Sequence, residues 1–405
     1  SGADSSFVAF NSATATPETK PPGKPVQART IVIDGTLEAS LGQPRVHVQI
    51  SDGRKILTGD PPPSLVPGLE ELTGEKTGKV NSFVAYLDTG ASGCVISKST
   101  AERFQLKARD GAKFHEVGLH GETTDGVTVP YSLALAGSDG SAADEPPAKF
   151  SPPSGEFALQ LATDKPTGVM ALMGEMNVIG MPVIRKVVVE IDPSPMRGAN
   201  AELGNGPAVT VSPPKASSQS ANIEIGLEYM DYSRRKHPEN KGPLPVLGSN
   251  PVIPGIITER EGKSFTSDWL LDTGAATCII STRHALALGL LKADGSPAVE
   301  PAFSLPLGGV DGDVKPTAGY VIPKLTIKAR AGRMLEFPNA HVVVKDIGTT
   351  LDDGREVILD GVLGMNLLLP GASGIGPGGA AKTFDGGFDR LWIDGPRGLL
   401  LLKTK

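Results

Sequence analysis

The chain has 405 residues, which is too many for one hydrophobic core and enough for two domains of ordinary size. Its 50 glycines and 35 prolines, with only 5% aromatic residues, indicate a turn-rich protein rather than a helical one. A formal net charge of −6 argues against nucleic acid or an anionic membrane as the main partner.

The N-terminal segment is rich in Ser, Thr, Pro and Gly, which predicts a flexible tail over residues 1–29. Its basic residues leave a second interpretation open, that of a propeptide lying over an acidic site: Lys20, Lys24 and Arg29. This composition favours an exported protein (periplasmic, cell-surface or extracellular), while a cytoplasmic location stays open. No apolar run approaches the roughly 18 residues that span a bilayer, so we expect no membrane span.

The local signals after the tail are mostly those of β-strands. Short alternating or β-branched runs predict strands at TIVIDG (30–35), RVHVQI (45–50), YSLALAG (131–137), EFALQL (156–161), KLTIKA (324–329) and HVVVKD (341–346). Asp-Gly pairs predict hairpin turns, among them Asp34-Gly35, Asp125-Gly126 and Asp311-Gly312. Ser97 and Ser281 each precede a run of helix formers and predict one short, serine-capped helix apiece. The expected class is all-β with minor helix.

The chain contains an internal duplication. The stretches FVAYLDTGASGCVIS (83–97) and WLLDTGAATCIIS (269–281) place Asp88 and Asp272 184 positions apart. The same offset pairs Cys94 with Cys278, Ser97 with Ser281, Ala101 with Ala285, Leu106 with Leu290 and Gly180 with Gly364. Two homologous halves explain this repetition. We predict an N-terminal lobe over 30–195, a Pro/Gly/Ser-rich linker over 196–219 and a C-terminal lobe over 220–405.

Each half offers one aspartate at the end of an apolar strand. A carboxylate at such a position is costly to bury unless its charge is paired, hydrogen-bonded or shared. If the halves pack about a pseudo-two-fold axis, Asp88 and Asp272 meet there and share a proton. One then accepts a proton from water while the other donates to a substrate carbonyl oxygen, as peptide hydrolysis requires. The following residues are expected to shape the two catalytic loops: Thr89, Gly90, Thr273 and Gly274.

The doubled motif, two apolar residues followed by Asp-Thr-Gly-Ala, resembles that of the aspartic protease superfamily of pepsins and retropepsins. Each half also carries an apolar-apolar-Gly element, at 178–180 and 362–364, which in that superfamily packs behind the catalytic loop. The resemblance covers nearly everything except tail and linker. It implies a bilobal pepsin-like acid protease fold with pseudo-two-fold symmetry, built from two fused retropepsin-like lobes. It also implies an aspartic endopeptidase that acts on peptide or protein substrates as a monomer, without cofactor or metal.

Retropepsins cover the cleft with glycine-rich hairpin tips, and the resemblance extends to such flaps. The second-half candidates are Gly308, Gly309, Val310 and Gly312, and the first-half candidates are Gly118, Leu119, His120 and Gly121. A rival assignment by pepsin-like spacing places Tyr131 at the flap. The hairpins are favoured because Tyr131 and Tyr320 both precede regular strands.

The residue after each Asp-Thr-Gly is alanine, Ala91 or Ala275, where pepsins usually have Ser or Thr. A hydroxyl there would stabilise the ionised carboxylate. Its absence predicts activity at mildly acidic rather than strongly acidic pH.

The only two cysteines are interpreted as small core thiols, although a disulfide between them stays open: Cys94 and Cys278. The six histidines show no HExxH or other close ligand spacing, and His115 and His120 are interpreted as exposed loop residues.

A non-catalytic structural or protein-interaction module on the same fold also stays open. Long insertions such as 136–156 could occlude a cleft or carry a partner site. A processing enzyme restricted to one partner protein would carry the same motifs.

Overall fold

The computed structural model describes residues 29–40, 42–62, 78–117, 122–141, 145–147, 149–163, 175–197, 205–214, 220–233, 235–308, 314–350, 355–369, 374–375, 381–382 and 387–404. Strands of the first half and linker are β1 (Arg29–Val32), β2 (Ala39–Ser40), β3 (Arg45–Ser51), β4 (Phe83–Leu87), β5 (Val95–Ile96), β6 (Ala108–Val117), β7 (Glu122–Thr128), β8 (Tyr131–Ala136), β9 (Glu156–Phe157), β10 (Gln160–Leu161), β11 (Val178–Ile179), β12 (Val188–Asp192) and β13 (Ala208–Ser212).

Strands of the second half are β14 (Ile223–Gly226), β15 (Glu228–Met230), β16 (Asn250–Arg260), β17 (Lys263–Leu271), β18 (Cys278–Ile280), β19 (Phe303–Gly308), β20 (Val314–Lys328), β21 (Arg333–Val344), β22 (Gly348–Thr350), β23 (Glu356–Ile358), β24 (Gly361–Leu363), β25 (Gly374–Ile375), β26 (Ala381–Lys382), β27 (Phe388–Asp394) and β28 (Leu399–Thr404). The α-helices are α1 (Lys98–Arg103), α2 (Met181–Ile184), α3 (Thr282–Ala287) and α4 (Met365–Leu368), with 3-10 turns at Ser194–Met196 and Arg330–Gly332. The class is therefore all-β with minor helix, as predicted.

Each half is built around a nine-stranded sheet, which makes the molecule bilobal. The first runs β6-β7-β10-β5-β11-β4-β3-β8-β9, and the second runs β1-β21-β18-β24-β17-β16-β20-β19 with β15 beside β16. A five-stranded sheet, β13-β12-β27-β28-β14, draws strands from both halves and joins them. Among the described residues, no helix is long and apolar enough to cross a bilayer.

The two sheets repeat the same pairing at their centres. In the first, β11 runs parallel to β4 with Ile179 opposite Leu87. In the second, β24 runs parallel to β17 with Leu363 opposite Leu271. Because both pairs are related by the 184-residue offset of the sequence, the duplication is preserved in the strand register.

A segment of each half contacts the other half. Strand β1 pairs with β21 of the second half, and the Ser40 N–H donates to the Ala276 carbonyl at 2.8 Å. In return, the Gly248 N–H donates to the Ser92 carbonyl at 2.7 Å. Ser92 and Ala276 are again offset partners, so each Asp-Thr-Gly loop is held by a segment of the opposite half. The predicted lobe boundaries do not anticipate this exchange.

Local signals predict the longer elements better than the short ones. Ser97 and Ser281 cap α1 and α3 by accepting the N–H bonds of Thr100 and His284, as predicted. Helices α2 and α4 are single turns after glycines and are not predicted. The segment interpreted as a linker contains β13.

The expected Asp-Gly turns have different outcomes. Gly35 has a φ of +91°, but the flanking strands β1 and β2 pair with β21 and β25 rather than with each other, so no hairpin forms there. Asp125-Gly126 lies inside β7 and forms no turn. The pair Asp311-Gly312 and residues 1–28 lie outside the described residues.

Candidate active site

The two motif aspartates occupy equivalent places at the ends of central strands. Asp88 follows β4, and its N–H donates to the Ile179 carbonyl at 3.1 Å. Asp272 follows β17, and its N–H donates to the Leu363 carbonyl at 3.1 Å. Both residues are half-buried. The apolar strands thus deliver both carboxyl groups to the junction between the halves.

Each carboxyl group is held by the turn that follows it. Gly90 and Ala91 donate their N–H bonds to Asp88 Oδ1 at 2.7 and 3.1 Å. The second loop repeats this closely, because Gly274 and Ala275 donate to Asp272 Oδ1 at 2.8 and 3.1 Å. Fixed backbone donors favour the charged form of a carboxyl and hold its orientation.

The loop glycines leave room for the opposing carboxyl group. A Cβ atom on Gly90 would lie 2.5 Å from Asp272 Cγ, and one on Gly274 would lie 2.5 Å from Asp88 Cγ. Any side chain at either position would therefore displace the opposing carboxyl group. The side chains of Asp88 and Asp272 are close enough to hydrogen-bond each other. Two negative charges this close repel each other, which disfavours ionisation of both carboxyl groups at once.

Burial raises the pKa of both carboxyl groups above the usual range for aspartate. For Asp272 the pKa is raised well above it, first by burial and then by the negative charge of Asp88. For Asp88 the pKa is raised by burial, partly offset by hydrogen bonds from Asp272 and the loop N–H groups. Because the two groups titrate as a pair, the pair retains one proton to higher pH than an exposed aspartate would.

The threonines of the two motifs bind the loops to each other. The Thr89 N–H donates to Thr273 Oγ1 at 3.1 Å, and the Thr273 N–H donates to Thr89 Oγ1 at 3.0 Å. Each hydroxyl then donates across the junction, Thr89 to the Leu271 carbonyl at 2.6 Å and Thr273 to the Leu87 carbonyl at 2.7 Å. Both threonines are fully buried. These four bonds fix the distance between the two loops.

The later glycine of each half packs directly behind an Asp-Thr-Gly loop. A Cβ atom on Gly180 would lie 1.9 Å from the Gly93 carbonyl oxygen, and one on Gly364 would lie 2.4 Å from that of Thr277. The N–H groups of these glycines point at the sulfurs of Cys94 and Cys278, at 3.4 and 3.2 Å respectively.

Both cysteines are buried free thiols, which confirms the core interpretation. Burial raises the pKa of each thiol to about 12. They therefore remain neutral and serve as packing residues behind the loops.

One buried residue near the site is not predicted from the sequence. The Asn250 side-chain amide donates to the carbonyls of Thr89 and Gly90 at 3.1 and 2.8 Å. It is 1% exposed and lies at the start of β16, in the opposite half from the loop it contacts. The sequence carries no signal for it, because a single Asn in GSNPVIPGI has no motif partner.

The flap candidates divide between described and undescribed residues. Strands β6 and β7 pair antiparallel up to Val117 opposite Glu122, and β19 and β20 pair up to Gly308 opposite Val314. Four first-half and three second-half candidates lie outside the described residues: Gly118, Leu119, His120, Gly121, Gly309, Val310 and Gly312. Tyr131 is not at a hairpin tip: it is 3% exposed in the core, and its hydroxyl accepts a hydrogen bond from the Lys107 N–H at 2.8 Å.

The interpretation of His115 as an exposed loop residue is wrong. His115 lies in β6 and is 6% exposed, because a segment of the second half covers it.

No protein-family model matches the chain, and no curated protein matches it. Among solved structures 96 chains match, and one of them is the crystal structure of a protein called edgp. That match covers 90% of this chain and 96% of the other, with a TM-score of 0.36 and 8% sequence identity. A likeness at this level carries no argument about family or activity.

Proposed function

We propose that this chain is an aspartic endopeptidase that hydrolyses peptide bonds in peptide or protein substrates. One observation carries the proposal: the carboxyl groups of Asp88 and Asp272 meet at the junction of two equivalent half-molecules. Each carboxyl group accepts hydrogen bonds from the N–H groups of the loop that follows it, in the same pattern. A structural turn would need neither the second carboxyl nor a glycine that makes room for it.

The mechanism follows from a pair that holds one proton. A water molecule bound between the carboxyl groups loses a proton to the charged partner as its oxygen attacks the scissile carbonyl carbon. The protonated partner gives its proton to the carbonyl oxygen, and a tetrahedral diol forms. Collapse of the diol breaks the C–N bond as a proton passes to the leaving nitrogen, and the pair returns to its starting charge.

The loop contacts have distinct roles in this mechanism. The N–H groups of Gly90 and Gly274 orient the carboxyl oxygens, and the threonine bonds hold the two loops at a fixed separation. Such positioning matters because misplacement by about 1 Å costs about 100-fold in rate. Because one chain supplies both aspartates, we propose that it acts as a monomer.

The substrate would lie as an extended peptide across the junction. Main-chain hydrogen bonds to the paired strands β6–β7 and β19–β20 would hold it, away from the outer edge of β6 that Lys241 already occupies. Side-chain preference would come from pockets beside these strands.

The test is cleavage of a mixed peptide library from about pH 3 to pH 7, the range in which a carboxyl pair titrates. The wild type should cleave and be blocked by a statine-type inhibitor, which imitates the diol. Asp88→Asn and Asp272→Asn should each lose at least about 10³-fold in kcat/KM, since a single carboxyl cannot act as both acid and base. Asp110→Asn, which changes an exposed carboxyl in β6, is the matched control and should cleave normally.

The remaining candidates give different results in the same assay. A non-catalytic interaction module would be folded and inert toward the library and toward every protein substrate offered. A restricted processing enzyme would be inert toward the library and would still bind the statine-type inhibitor in calorimetry. Cleavage that survives in both aspartate variants would overturn the proposal.

A further inference from the structure

A segment of the second half, around Lys241, lies along the outer edge of the first sheet and covers it. Strand β6 is the edge strand, and Lys113 and Lys241 exchange backbone hydrogen bonds across this edge at 2.8 and 2.9 Å. Beside this pair, the His115 N–H donates to the side-chain oxygen of Asn240, Oδ1, at 2.8 Å. The same segment packs Leu244 and Leu247 against apolar residues of the first half. The segment from Asn240 to Leu247 is therefore docked on the first half through both backbone and side-chain contacts.

Three ligand-type side chains converge where the segment passes β6. The rings of His115 and His237 stack with centroids 4.1 Å apart and planes inclined by 14°. His115 Nδ1 lies 3.3 Å from Glu239 Oε2. One ligand atom from each of the three residues lies within 4.8 Å of the others. His115 is buried, His237 is half-buried and Glu239 is exposed, so the cluster is open to solvent on one side.

We propose that His115, His237 and Glu239 bind a divalent transition-metal ion of the zinc class, with water in the fourth position. Two imidazoles and one carboxylate are a donor set that suits Zn²⁺, whereas Mg²⁺ and Ca²⁺ prefer oxygen alone. With metal–ligand bonds of about 2.0–2.1 Å, two ligands of a tetrahedral ion stand about 3.3 Å apart. His115 Nδ1 and Glu239 Oε2 already have this separation.

Binding requires one ring to turn. A metal ion lies in the plane of an imidazole ligand, so two stacked, nearly parallel rings cannot both point at one ion. His115 is held in β6, and its Nδ1 also lies 2.9 Å from Thr124 Oγ1, a contact that the metal would replace because Nδ1 has a single lone pair. His237 is the movable partner, because it is half-buried and its Nδ1 accepts only a long 3.3 Å hydrogen bond from the Glu239 N–H. Rotation of His237 toward Glu239 completes the site.

The bound ion would tie the docked segment to the sheet edge. Ligand binding to the folded state stabilises it, so zinc should raise the melting temperature of the metal-free chain. Protons compete with the metal for the imidazoles, so the affinity should fall as the pH is lowered. Neither effect depends on peptidase activity.

The experiment is a titration of the full-length, metal-free chain with Zn²⁺ against a chromophoric chelator at pH 7.5. We expect one ion per chain, with at least tenfold weaker binding in both His237→Ala and Glu239→Gln. The matched control is Glu261→Gln, an exposed carboxylate between β16 and β17 that contacts Arg260, and its affinity should be unchanged. Both site variants change solvent-accessible side chains, so folding is expected to survive and is checked by circular dichroism.

Co²⁺ gives an independent readout in place of Zn²⁺. A tetrahedral N/O site gives an intense visible absorption band, which should appear in the wild type and in Glu261→Gln and vanish in the two site variants. Equal zinc affinity in the wild type and both site variants would overturn the proposal. So would a Co²⁺ spectrum that does not change when His237 is removed.

Discussion

Thr89 and Thr273 lie 184 positions apart in the chain, yet each hydroxyl accepts a hydrogen bond from the other residue's backbone N–H. Each hydroxyl also donates to the carbonyl that precedes the opposite aspartate. The two Asp-Thr-Gly loops are therefore one hydrogen-bonded unit, although they belong to different halves.

Thr89→Val and Thr273→Val should each destabilise the protein by about 1–3 kcal/mol, because each change leaves a buried N–H and a buried carbonyl unpaired. The double variant should lose less stability than the two single variants together, since the loops already relax once one threonine's hydrogen bonds are removed. Urea unfolding measures both quantities. Thr266→Val, an exposed position in β17, is the control and should stay within about 0.5 kcal/mol of the wild type. Full additivity of the two threonine changes would contradict a single coupled unit.

Gly180→Ala should destabilise the protein by more than about 3 kcal/mol, at or above the usual range for overpacking. The added Cβ would lie 1.9 Å from a backbone carbonyl oxygen, which cannot rotate away as a side chain can. Gly364→Ala should behave in the same way, with a 2.4 Å approach. Gly348→Ala is the matched control, because no atom lies within 4 Å of its added Cβ. Thermal melts of the three variants test the ranking, and a stable Gly180→Ala protein would contradict it.

Asn250→Ala should lower kcat more than it raises KM in the proposed peptidase assay. The change removes two hydrogen bonds that hold the carbonyls of Thr89 and Gly90, so the first loop loses its fixed position. A stability loss of about 1–3 kcal/mol should accompany it, since those carbonyls are buried. Asn222→Ala is the control: this exposed residue lies just before β14 and bonds Thr404. An effect on KM alone would show that Asn250 contacts substrate instead.

The raised carboxyl pKa values predict how stability depends on pH. A carboxyl group with a raised pKa in the folded state holds its proton longer than in the unfolded state. The free energy of unfolding therefore falls as the pH rises from about 4, the ordinary aspartate pKa, through the raised value. Asp272→Asn removes the repulsion between the two carboxylates. The free energy of unfolding of this variant, minus that of the wild type, should therefore be larger at pH 7.5 than at pH 4.5. Urea unfolding of both proteins at both pH values measures this difference. The same curve for Asp110→Asn should parallel the wild type.

Ala91→Ser with Ala275→Ser should move the pH–rate profile toward acid by about one unit. Each alanine N–H already donates to an aspartate Oδ1, so a hydroxyl on the same residue lies close to the carboxyl group. A hydrogen bond to the charged form of about 1.5 kcal/mol corresponds to about one pKa unit. The wild type is expected to peak at mildly acidic pH, and a peak below about pH 3 would count against this reasoning. Ala91→Val with Ala275→Val adds bulk without a hydroxyl and should not produce the shift.

The sequence alone determined the duplication, the all-β class and the two aspartates. Asp88 and Asp272 were identifiable because each sits in a local pattern of apolar residues and Thr-Gly, and because the same offset recovers Gly180 and Gly364. The serine caps of α1 and α3 were also local, since a cap depends only on the next three residues. A short sequence pattern is enough to predict a feature when the interactions that form it lie within one strand, turn or helix.

Only the tertiary structure decided which distant groups meet. The exchange of β1 and of the segment around Gly248 between halves, the support from Asn250 and the burial of His115 all depend on contacts across more than 100 residues. Such contacts leave no periodicity or motif, because either partner alone looks like an ordinary surface or loop residue. Whether carboxyl groups of two halves meet, or an imidazole is covered by a distant segment, is set by packing between elements, which a single sequence does not display.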